Sequence, residues 1–243
     1  MTKRCSLMRL TLPAALVLAS TVVFPAHADL FSIEAEAQYW NPDGSGSDSL
    51  TDMGEEMFPA NWDRNGQLRL SASFQHFIPL IPNVRLETQE LEFTGSSSGF
   101  DGRLDLGHDT FTLFYAPLDN DLTRLHFGVS LKRVRGYLER DIVDGPTTRD
   151  DIDADIPMVY LLLETSLPFT GLSVQGSGHF FSFDDNEVQD IEAAIRYRFL
   201  DNRMFEGYIS AGYRSLNFKI DEGQRLQADY DFRGPFVAVN LRF

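Results

Sequence analysis

The sequence predicts an all-β protein: a transmembrane, antiparallel, up-and-down β-barrel of ten strands, with eight or twelve strands as alternatives. Three observations lead to this fold class. The first residues follow the pattern of an export signal, the rest alternates apolar and polar residues in successive segments, and tight connections alternate with longer ones. No later apolar run is long enough for a transmembrane helix, so a closed barrel is the remaining way to cross a membrane.

Residues 1–28 are interpreted as a cleaved signal peptide. Three basic residues precede an apolar run from Leu10 to Phe24, and Ala26-His27-Ala28 offers small residues to a signal peptidase. The run contains Pro13 and is shorter than the roughly 20 residues of a membrane anchor. We therefore expect one exported domain, residues 29–243, in the cell outer membrane.

Composition restricts the partners of the exported domain. The signal contains three of the 21 basic residues and none of the 36 acidic ones, which leaves a formal charge of −18. Nucleic acid is therefore not expected as a partner, because binding it requires basic residues that neutralise phosphates. The single cysteine, Cys5, lies in the signal, so no disulfide is available. No cofactor and no metal site are predicted.

The first strands follow from alternation. In Phe31 to Trp40 the apolar residues share one parity and the polar residues the other, so one face suits lipid and the opposite face suits water. Gln67 to Phe77 repeats this pattern. In Val84 to Thr94 the apolar parity changes, which predicts a β-bulge near Thr88. Leu106 to Pro117 and Leu122 to Leu138 again have one apolar face.

The later strands complete the count of ten. Ile156 to Leu167 is apolar at its centre, and directing Val159, Leu161 and Leu163 outward puts Glu164 inside. In Val188 to Phe199 a slip by one residue would turn four charges toward lipid, at up to roughly 2 to 4 kcal/mol for each basic residue near the midplane. The remaining predicted strands are Leu172 to Phe183, Met204 to Phe218 and Leu226 to Phe243.

The connections divide into two classes. The tight ones, interpreted as periplasmic turns, are Ile78 to Asn83, Pro117 to Asp121, Pro168 to Gly171 and Leu200 to Arg203. The others are interpreted as external loops: Asn41 to Gly66, Gly95 to Asp105, Glu139 to Asp155, Asp184 to Glu187 and Lys219 to Arg225. Short turns on one side and longer loops on the other are usual for bacterial outer-membrane barrels.

The last strand carries a predicted assembly signal. Val237, Val239, Leu241 and Phe243 share the lipid face, and Phe243 suits an interfacial aromatic girdle. A closing strand with a terminal Phe resembles the signal that the barrel-assembly machinery reads, which implies that machinery and periplasmic chaperones as partners. The chain also resembles a family of small proteobacterial outer-membrane barrels, over the stretches AQYW (37–40), LPFTGLS (167–173), AGYRSLNF (211–218) and GPFVAVNLRF (234–243).

The lumen is predicted to contain interlocking ion pairs, because ten strands enclose little more than the eight-stranded barrel that side chains fill. Acidic and basic residues are nearly balanced among the inward positions, which predicts a narrow or closed interior. The predicted lumen residues are Glu34, Glu36, Arg69, Lys132, Glu164, Glu192, Arg196, Arg198, Glu206, Arg214 and Arg242.

Other motifs give little support for catalysis or metal binding. Gly95-Ser96-Ser97-Ser98-Gly99 matches G-x-S-x-G, but no helix follows it. Asp151, Asp153 and Asp155 have the spacing that begins a calcium loop, but neither its glycine nor its final glutamate follows. His108, with Asp105 and Asp109, is the one histidine cluster expected near the outer rim, and no catalytic residue is assigned.

Three functions remain open at this stage. The preferred one is a non-enzymatic barrel with a structural or envelope-interaction role, in contact with outer-membrane lipid and lipopolysaccharide. The second is a small-solute or lipophile channel lined by Arg69, Arg196, Arg198 and Arg214. The third is a rim hydrolase of omptin type.

Overall fold

The computed structural model describes residues 31–50, 58–97, 100–142, 147–183, 186–202, 204–221 and 226–243, and the predicted signal peptide lies outside them. In these ranges no helix is long and apolar enough to cross a membrane. Fourteen strands form one antiparallel sheet. They are β1 (Phe31–Trp40), β2 (Asp43–Leu50), β3 (Phe58–Trp62), β4 (Gln67–His76), β5 (Asn83–Gln89), β6 (Glu92–Ser97), β7 (Phe100–Asp105), β8 (His108–Asp119), β9 (Thr123–Ile142), β10 (Thr147–Leu167), β11 (Leu172–Phe183), β12 (Asn186–Asp201), β13 (Glu206–Asp221) and β14 (Leu226–Arg242).

Ten of these strands close into a barrel in the order β1-β4-β5-β8-β9-β10-β11-β12-β13-β14, and β14 pairs back onto β1. The closing register sets Glu34 opposite Arg242 and Trp40 opposite Phe236. Each backbone ladder is therefore completed by a neighbour, and the ring leaves no free sheet edge. The predicted antiparallel barrel of ten strands is confirmed.

The predicted tight turns are confirmed in position, and Arg203 of the last one lies outside the described residues. They join β4 to β5, β8 to β9, β10 to β11 and β12 to β13. All four lie at the end of the barrel where β1 begins and β14 ends, because β1 and β14 pair there. We call this the lower end, and the opposite end the upper end.

A belt of exposed apolar side chains surrounds the lower part of the barrel. On β1 it runs from Phe31 to Tyr39, and Val159, Leu161 and Leu163 point outward as predicted. The eight residue steps from Phe31 to Tyr39 correspond to about 26 Å of strand, or about 20 Å of height at a tilt of about 40°. A belt of this kind fits the hydrocarbon layer of a bilayer.

The upper connections were predicted as loops, and this is wrong for three of them. Asn41 to Gly66 contains β2 and β3, Gly95 to Asp105 contains all of β7 with the end of β6, and Glu139 to Asp155 contains the paired ends of β9 and β10. β2 continues the wall beyond β1 along β14, and β7 continues it beyond β8 along β9. Polar residues on the outer face remain solvated here, so extended strands need no apolar exterior.

Above the belt the apolar face of the sheet changes sides. On β9, Leu125 to Leu131 point outward on odd positions, whereas Val134 and Leu138 are buried inside. The predicted bulge near Thr88 is wrong for the same reason, since β5 pairs with β4 and β8 without a register shift. Leu91 and Phe93 keep the inward parity of Gln89 and enter an apolar interior.

Glycines mark two places where the wall bends. An added Cβ at Gly234 would lie 2.2 Å from the carbonyl oxygen of Asn41, beside the break between β1 and β2. At Gly136 it would lie 2.0 Å from the carbonyl oxygen of Asp105, beside the break between β7 and β8. Only glycine allows the neighbouring backbone to approach this closely.

The interior of the upper part is an apolar core, which we call the upper core. Phe93 and Phe232 stack there with ring centres 4.4 Å apart. Such a core excludes water from the upper part of the lumen. It consists of Trp40, Trp62, Leu91, Phe93, Leu104, Leu106, Val134, Leu138, Ile156, Met158, Val188, Ala194, Leu216, Phe218, Tyr230, Phe232, Phe236 and Ala238.

Candidate functional site

Below the upper core, the lumen is polar and contains two groups of ion pairs. In the lower group, Arg124 of β9 lies 2.9 Å from Glu34 of β1 and 3.1 Å from Glu164 of β10. Arg196 of β12 lies 3.3 Å and 2.7 Å from the same two carboxylates. Arg196 also stacks on Tyr208, with its guanidinium carbon 4.5 Å from the ring centre. Each arginine therefore binds carboxylates from two strands of the wall.

The lower group extends toward the mouth at the lower end. Asp119 accepts ion pairs from Arg124 at 3.5 Å and from Arg242 at 3.4 Å. Arg198 lies apart from this group and contacts Glu206 at 3.4 Å, with about a third of its side chain exposed. Of the predicted lumen residues, Arg198, Glu206 and Arg242 thus lie at the partly exposed mouth rather than in the closed interior.

The upper group of ion pairs lies between the lower group and the upper core. Arg69 of β4 contacts Glu36 at 3.1 Å and binds Glu192 of β12 directly across the lumen. Arg85 of β5 contacts Glu87 at 3.3 Å and Glu36 at 3.8 Å. Because Arg69 and Glu192 belong to distant strands of the ring, their contact crosses the lumen.

Arg214 connects this upper group to the floor of the upper core. Its Nε and one terminal nitrogen each lie 2.8 Å from an oxygen of Asp190, and its other terminal nitrogen donates to Gln89 across the lumen at 2.7 Å. Lys132 donates to the same Asp190 at 2.8 Å. The Arg214 guanidinium also lies 4.6 Å from the ring centre of Trp40, the first residue of the apolar layer.

The charges of the two groups balance. Three cations meet three carboxylates in the lower group: Arg124, Arg196 and Arg242 with Glu34, Glu164 and Asp119. Four cations meet four carboxylates in the upper group: Arg69, Arg85, Arg214 and Lys132 with Glu36, Glu87, Glu192 and Asp190. Balanced, mutually hydrogen-bonded charges can remain ionised away from bulk water.

Five members of these groups were not among the predicted lumen residues: Arg85, Glu87, Asp119, Arg124 and Asp190. Arg85 and Glu87 were missed because the expected bulge hid the uniform parity of β5. Arg124 and Asp190 could have been found, since they share parity with His126 and Glu192 in strands whose register was clear. Asp119 lies beyond an irregularity in the β8–β9 register, which alternation alone does not locate.

An aromatic column lines one wall of the polar lumen. His126 stacks on Phe114 at 4.8 Å, Phe114 meets Tyr160 edge to face at 6.0 Å, and Tyr160 stacks on His179 at 5.0 Å. His179 Nε2 lies 3.7 Å from Glu87, beyond hydrogen-bond distance. These four side chains come from β8, β9, β10 and β11, so the column follows the inner face of four neighbouring strands.

Two small polar cavities of about 10 Å³ and 20 Å³ lie beside the column, and each is close to the space that a single water molecule needs. Both are lined by Glu36, Arg85, Tyr160, Leu162 and Gln175. Lining of this polarity favours water rather than an apolar ligand.

The expected histidine cluster at the rim does not form. His108 is buried inside the barrel, where its Nδ1 lies 2.9 Å from the Leu106 carbonyl and its Nε2 lies 3.1 Å from Lys132 Nζ. The carbonyl can only accept and the ammonium can only donate, which assigns the ring proton to Nδ1. Asp109 lies on the opposite, exposed face of the strand. The prediction of a His108 cluster at the outer rim is therefore wrong.

The acidic residues of the upper outer face lie on strands. Asp151, Asp153 and Asp155 point outward from β10 and pair with arginines, as in the 2.8 Å contact between Asp155 and Arg133. Asp43 binds Arg64 in the same way, and this hydrogen bond lowers the pKa of the Asp43 carboxyl. Within the described ranges, no group of three or more His, Cys, Asp or Glu residues could hold a metal ion.

Two expectations fall partly outside the described residues. Ser98 and Gly99 of the G-x-S-x-G match are not described, whereas Gly95 to Ser97 belong to β6, which pairs with β7. The predicted external loops are also rich in acidic residues, and of these Asp52, Glu55, Glu56 and Asp144 are not described.

No protein-family model and no curated protein matches the sequence. Solved structures match its fold. The outer membrane protease OmpT from Escherichia coli is 8% identical, with a TM-score of 0.50 over 87% of this chain and 96% of that one. The translocator domain of the autotransporter NalP from Neisseria meningitidis is 12% identical, with a TM-score of 0.46 over 90% of each chain. Neisserial surface protein A is 12% identical, with a TM-score of 0.32 over 88% of this chain and 96% of that one. The closed ring of ten strands and the likeness to OmpT show that the chain has the fold of an outer-membrane β-barrel.

Proposed function

We propose that this outer-membrane β-barrel is an integral, non-enzymatic protein of the envelope whose lumen is closed to solutes, and that its role is structural or one of interaction at the cell surface. The observation that carries the proposal is the pair of barriers in the lumen. An apolar core fills the upper part, and two balanced groups of ion pairs cross the lower part.

The ion pairs support closure because they join strands that are far apart in the ring. Arg124 to Glu34, Arg69 to Glu192 and the Arg214 to Gln89 hydrogen bond each span the lumen. A solute would have to separate such pairs, and each separated charge would lose its partner at a cost of several kcal/mol.

The upper core supports closure in a second way. Phe93 and Phe232 stack at its centre, and the indole nitrogen of Trp40 donates to the Gly234 carbonyl at 3.1 Å. A hydrated ion crossing this layer would lose its water without gaining polar partners. We therefore expect no ion pathway through the barrel at rest.

The test is recording from a planar bilayer that contains the refolded protein, after heat-modifiable migration has shown that the barrel is intact. Wild type is expected to give no stable unitary currents. Stable currents of one size would contradict the proposal and would favour the channel alternative, in which Arg69, Arg196, Arg198 and Arg214 line a constriction.

The remaining expectations concern location and assembly. We infer that residues 1–28 direct export and that Val237, Val239, Leu241 and Phe243 form the signal read by the assembly machinery. The side chains of the four signal residues are exposed on one face of β14 and just after its end, which supports this assignment. Phe243→Ala is expected to reduce the heat-modifiable form in the outer membrane, and Phe111→Ala, which removes an exposed phenylalanine outside the signal, serves as the control. Equal amounts of the heat-modifiable form in the two variants would refute the proposed signal.

We also propose contact with membrane lipid through the apolar belt, and with lipopolysaccharide through cations shared with the acidic outer face. Asp109 and Asp141 are exposed on that face. Chelation is expected to weaken retention of lipopolysaccharide by the purified barrel. Unchanged retention in a chelator would argue against shared cations.

A further inference from the structure

The four turns at the lower end differ in chemistry. In the β8–β9 turn, Asn120 Oδ1 accepts hydrogen bonds from the amides of Leu122 and Thr123 at 3.0 Å and 2.9 Å. In the β12–β13 turn, Asn202 Oδ1 accepts from the amides of Met204 and Phe205, both at 3.0 Å. Asparagine side chains that bond the backbone of their own turn in this way are usual in tight turns.

The β4–β5 and β10–β11 turns instead carry apolar residues at their tips, and their side-chain hydrogen bonds involve other residues. Asn83 Oδ1 accepts from the His76 amide at 2.9 Å at the base of the first turn, and Thr170 Oγ1 accepts from the Leu172 amide at 3.1 Å in the second. Residues 77–82 read Phe-Ile-Pro-Leu-Ile-Pro, without one polar side chain. Leu80 is 85% exposed, and Phe169 at the tip of the other turn is fully exposed. Both turns nevertheless have fixed hydrogen bonds, since Tyr115 donates to the Leu80 carbonyl at 3.1 Å and Thr170 donates to the Leu167 carbonyl at 2.8 Å.

Leu80 and Phe169 also have an unusual backbone conformation. Leu80 has φ of 71° and Phe169 has φ of 65°, and they are the residues other than glycine with positive φ in the described ranges. A left-handed conformation favours Gly or Asn, whereas a branched or aromatic side chain crowds the backbone there. Asparagine in their place would suit both the backbone and an aqueous surrounding.

These observations point to an apolar surrounding, and the adjoining surface indicates which one. On β4 the apolar belt runs only from Leu68 to Phe74, about 15 Å of height at the usual strand tilt. A hydrocarbon layer spanned by such barrels is about 25 Å thick. The β4–β5 turn continues the belt directly through Phe77, which is also exposed.

We propose that these two apolar turns, 77–82 and 168–171, insert into the acyl chains of the lower leaflet and anchor the barrel there, whereas the two asparagine turns remain in water. This inference rests on the proposed membrane location. The acyl chains would cover Leu80 and Phe169 and would complete the thin belt at β4 and β5. They would also account for large apolar side chains at two positions where the backbone is left-handed.

The test uses single tryptophans as depth probes in the full-length protein, refolded into phosphatidylcholine vesicles. Leu80→Trp and Phe169→Trp place the probe at the two apolar tips, and Asp121→Trp places it in an asparagine turn. Native Trp40 and Trp62 lie inside the barrel, so wild-type emission is subtracted. Heat-modifiable migration first shows that each variant has inserted, which separates failure of this inference from failure of the membrane location.

Lipids with brominated acyl chains are expected to quench the added emission at the apolar tips and to leave it nearly unchanged at position 121, because bromine quenches only at contact within the hydrocarbon layer. The proposal would be overturned if aqueous acrylamide quenched the tip probes as strongly as it quenches the probe at position 121. Protection from both quenchers would also overturn it, in favour of a second copy of the chain on the tips. Should the tip variants not fold, Ile78→Trp tests the same turn at a residue with an ordinary backbone conformation.

Discussion

Arg196 offers the strictest test of the closed lumen. Its side chain is buried and binds Glu164 at 2.7 Å, Glu34 at 3.3 Å and Gln175 at 2.9 Å. Arg196→Met keeps much of the volume and removes the charge. Deleting one partner of a buried ion pair costs about 3 to 5 kcal/mol. Since Arg124 still contacts both carboxylates, we expect the lower value, about 3 kcal/mol.

The assay is reversible guanidinium unfolding in micelles, followed by the emission of the two interior tryptophans. With a slope of about 4 kcal/mol per molar, a loss of about 3 kcal/mol lowers the midpoint by roughly 0.8 M. Adding Glu164→Gln should recover part of this loss, because it removes one of the two stranded charges. The matched control is Arg133→Met, which breaks an exposed pair with Asp155 and should leave the midpoint unchanged.

The reasoning would be refuted if Arg196→Met and Arg133→Met lowered the midpoint equally. That result would mean that bulk water solvates Glu34 and Glu164 once the arginine is gone. The lower lumen would then be an open aqueous vestibule, and the ion pairs would not oppose the passage of solutes.

Three further predictions follow from packing and charge. Phe93→Ala should cost about 3 to 5 kcal/mol of unfolding free energy, because it opens a cavity beside Phe232, while the lipid-facing Phe111→Ala should cost clearly less; equal losses would argue against a packed upper core. Gly128→Ala should abolish or greatly reduce the refolding yield, since its Cβ would lie 2.1 Å from the Leu113 carbonyl oxygen. In the control Gly176→Ala, the added Cβ meets nothing nearer than 3.9 Å, and this variant should refold normally. Similar yields for the two variants would contradict the close approach of the strands at Gly128. The Arg64 hydrogen bond lowers the pKa of Asp43, so the pair stabilises the fold at neutral pH and loses this effect as pH falls through that lowered pKa. A carbon NMR titration should show that the Asp43 pKa is higher in Arg64→Met than in wild type. An unchanged pKa would disprove the pairing in solution.

Within the belt, the fold and the orientation of side chains could be predicted residue by residue. Lipid outside and charge inside impose opposite polarities on successive residues, and β1 and β11 begin and end where alternation predicted. The orientation of Glu34, Glu164 and Arg196 follows from the same constraint, because a slip would place each charge in hydrocarbon.

Above the belt the same argument failed, for a physical reason. Water surrounds the outer face there, and the interior becomes apolar, so the parity of the apolar residues reverses without any change in register. Leu91 and Phe93 show this reversal, which alternation alone cannot distinguish from a bulge. The same reversal between Leu131 and Val134 on β9 is the signal that could have located the upper core.

The sequence by itself determined the all-β class, favoured ten barrel strands, and located the tight turns and most of the inward charges, because local alternation against lipid leaves one acceptable register. Only the tertiary structure decided which charges meet. Arg69 and Glu192 lie 123 residues apart in the chain, and Arg124 faces Glu34 only because β14 closes onto β1. Contacts across a lumen depend on the curvature and closure of the whole ring, which no local pattern encodes.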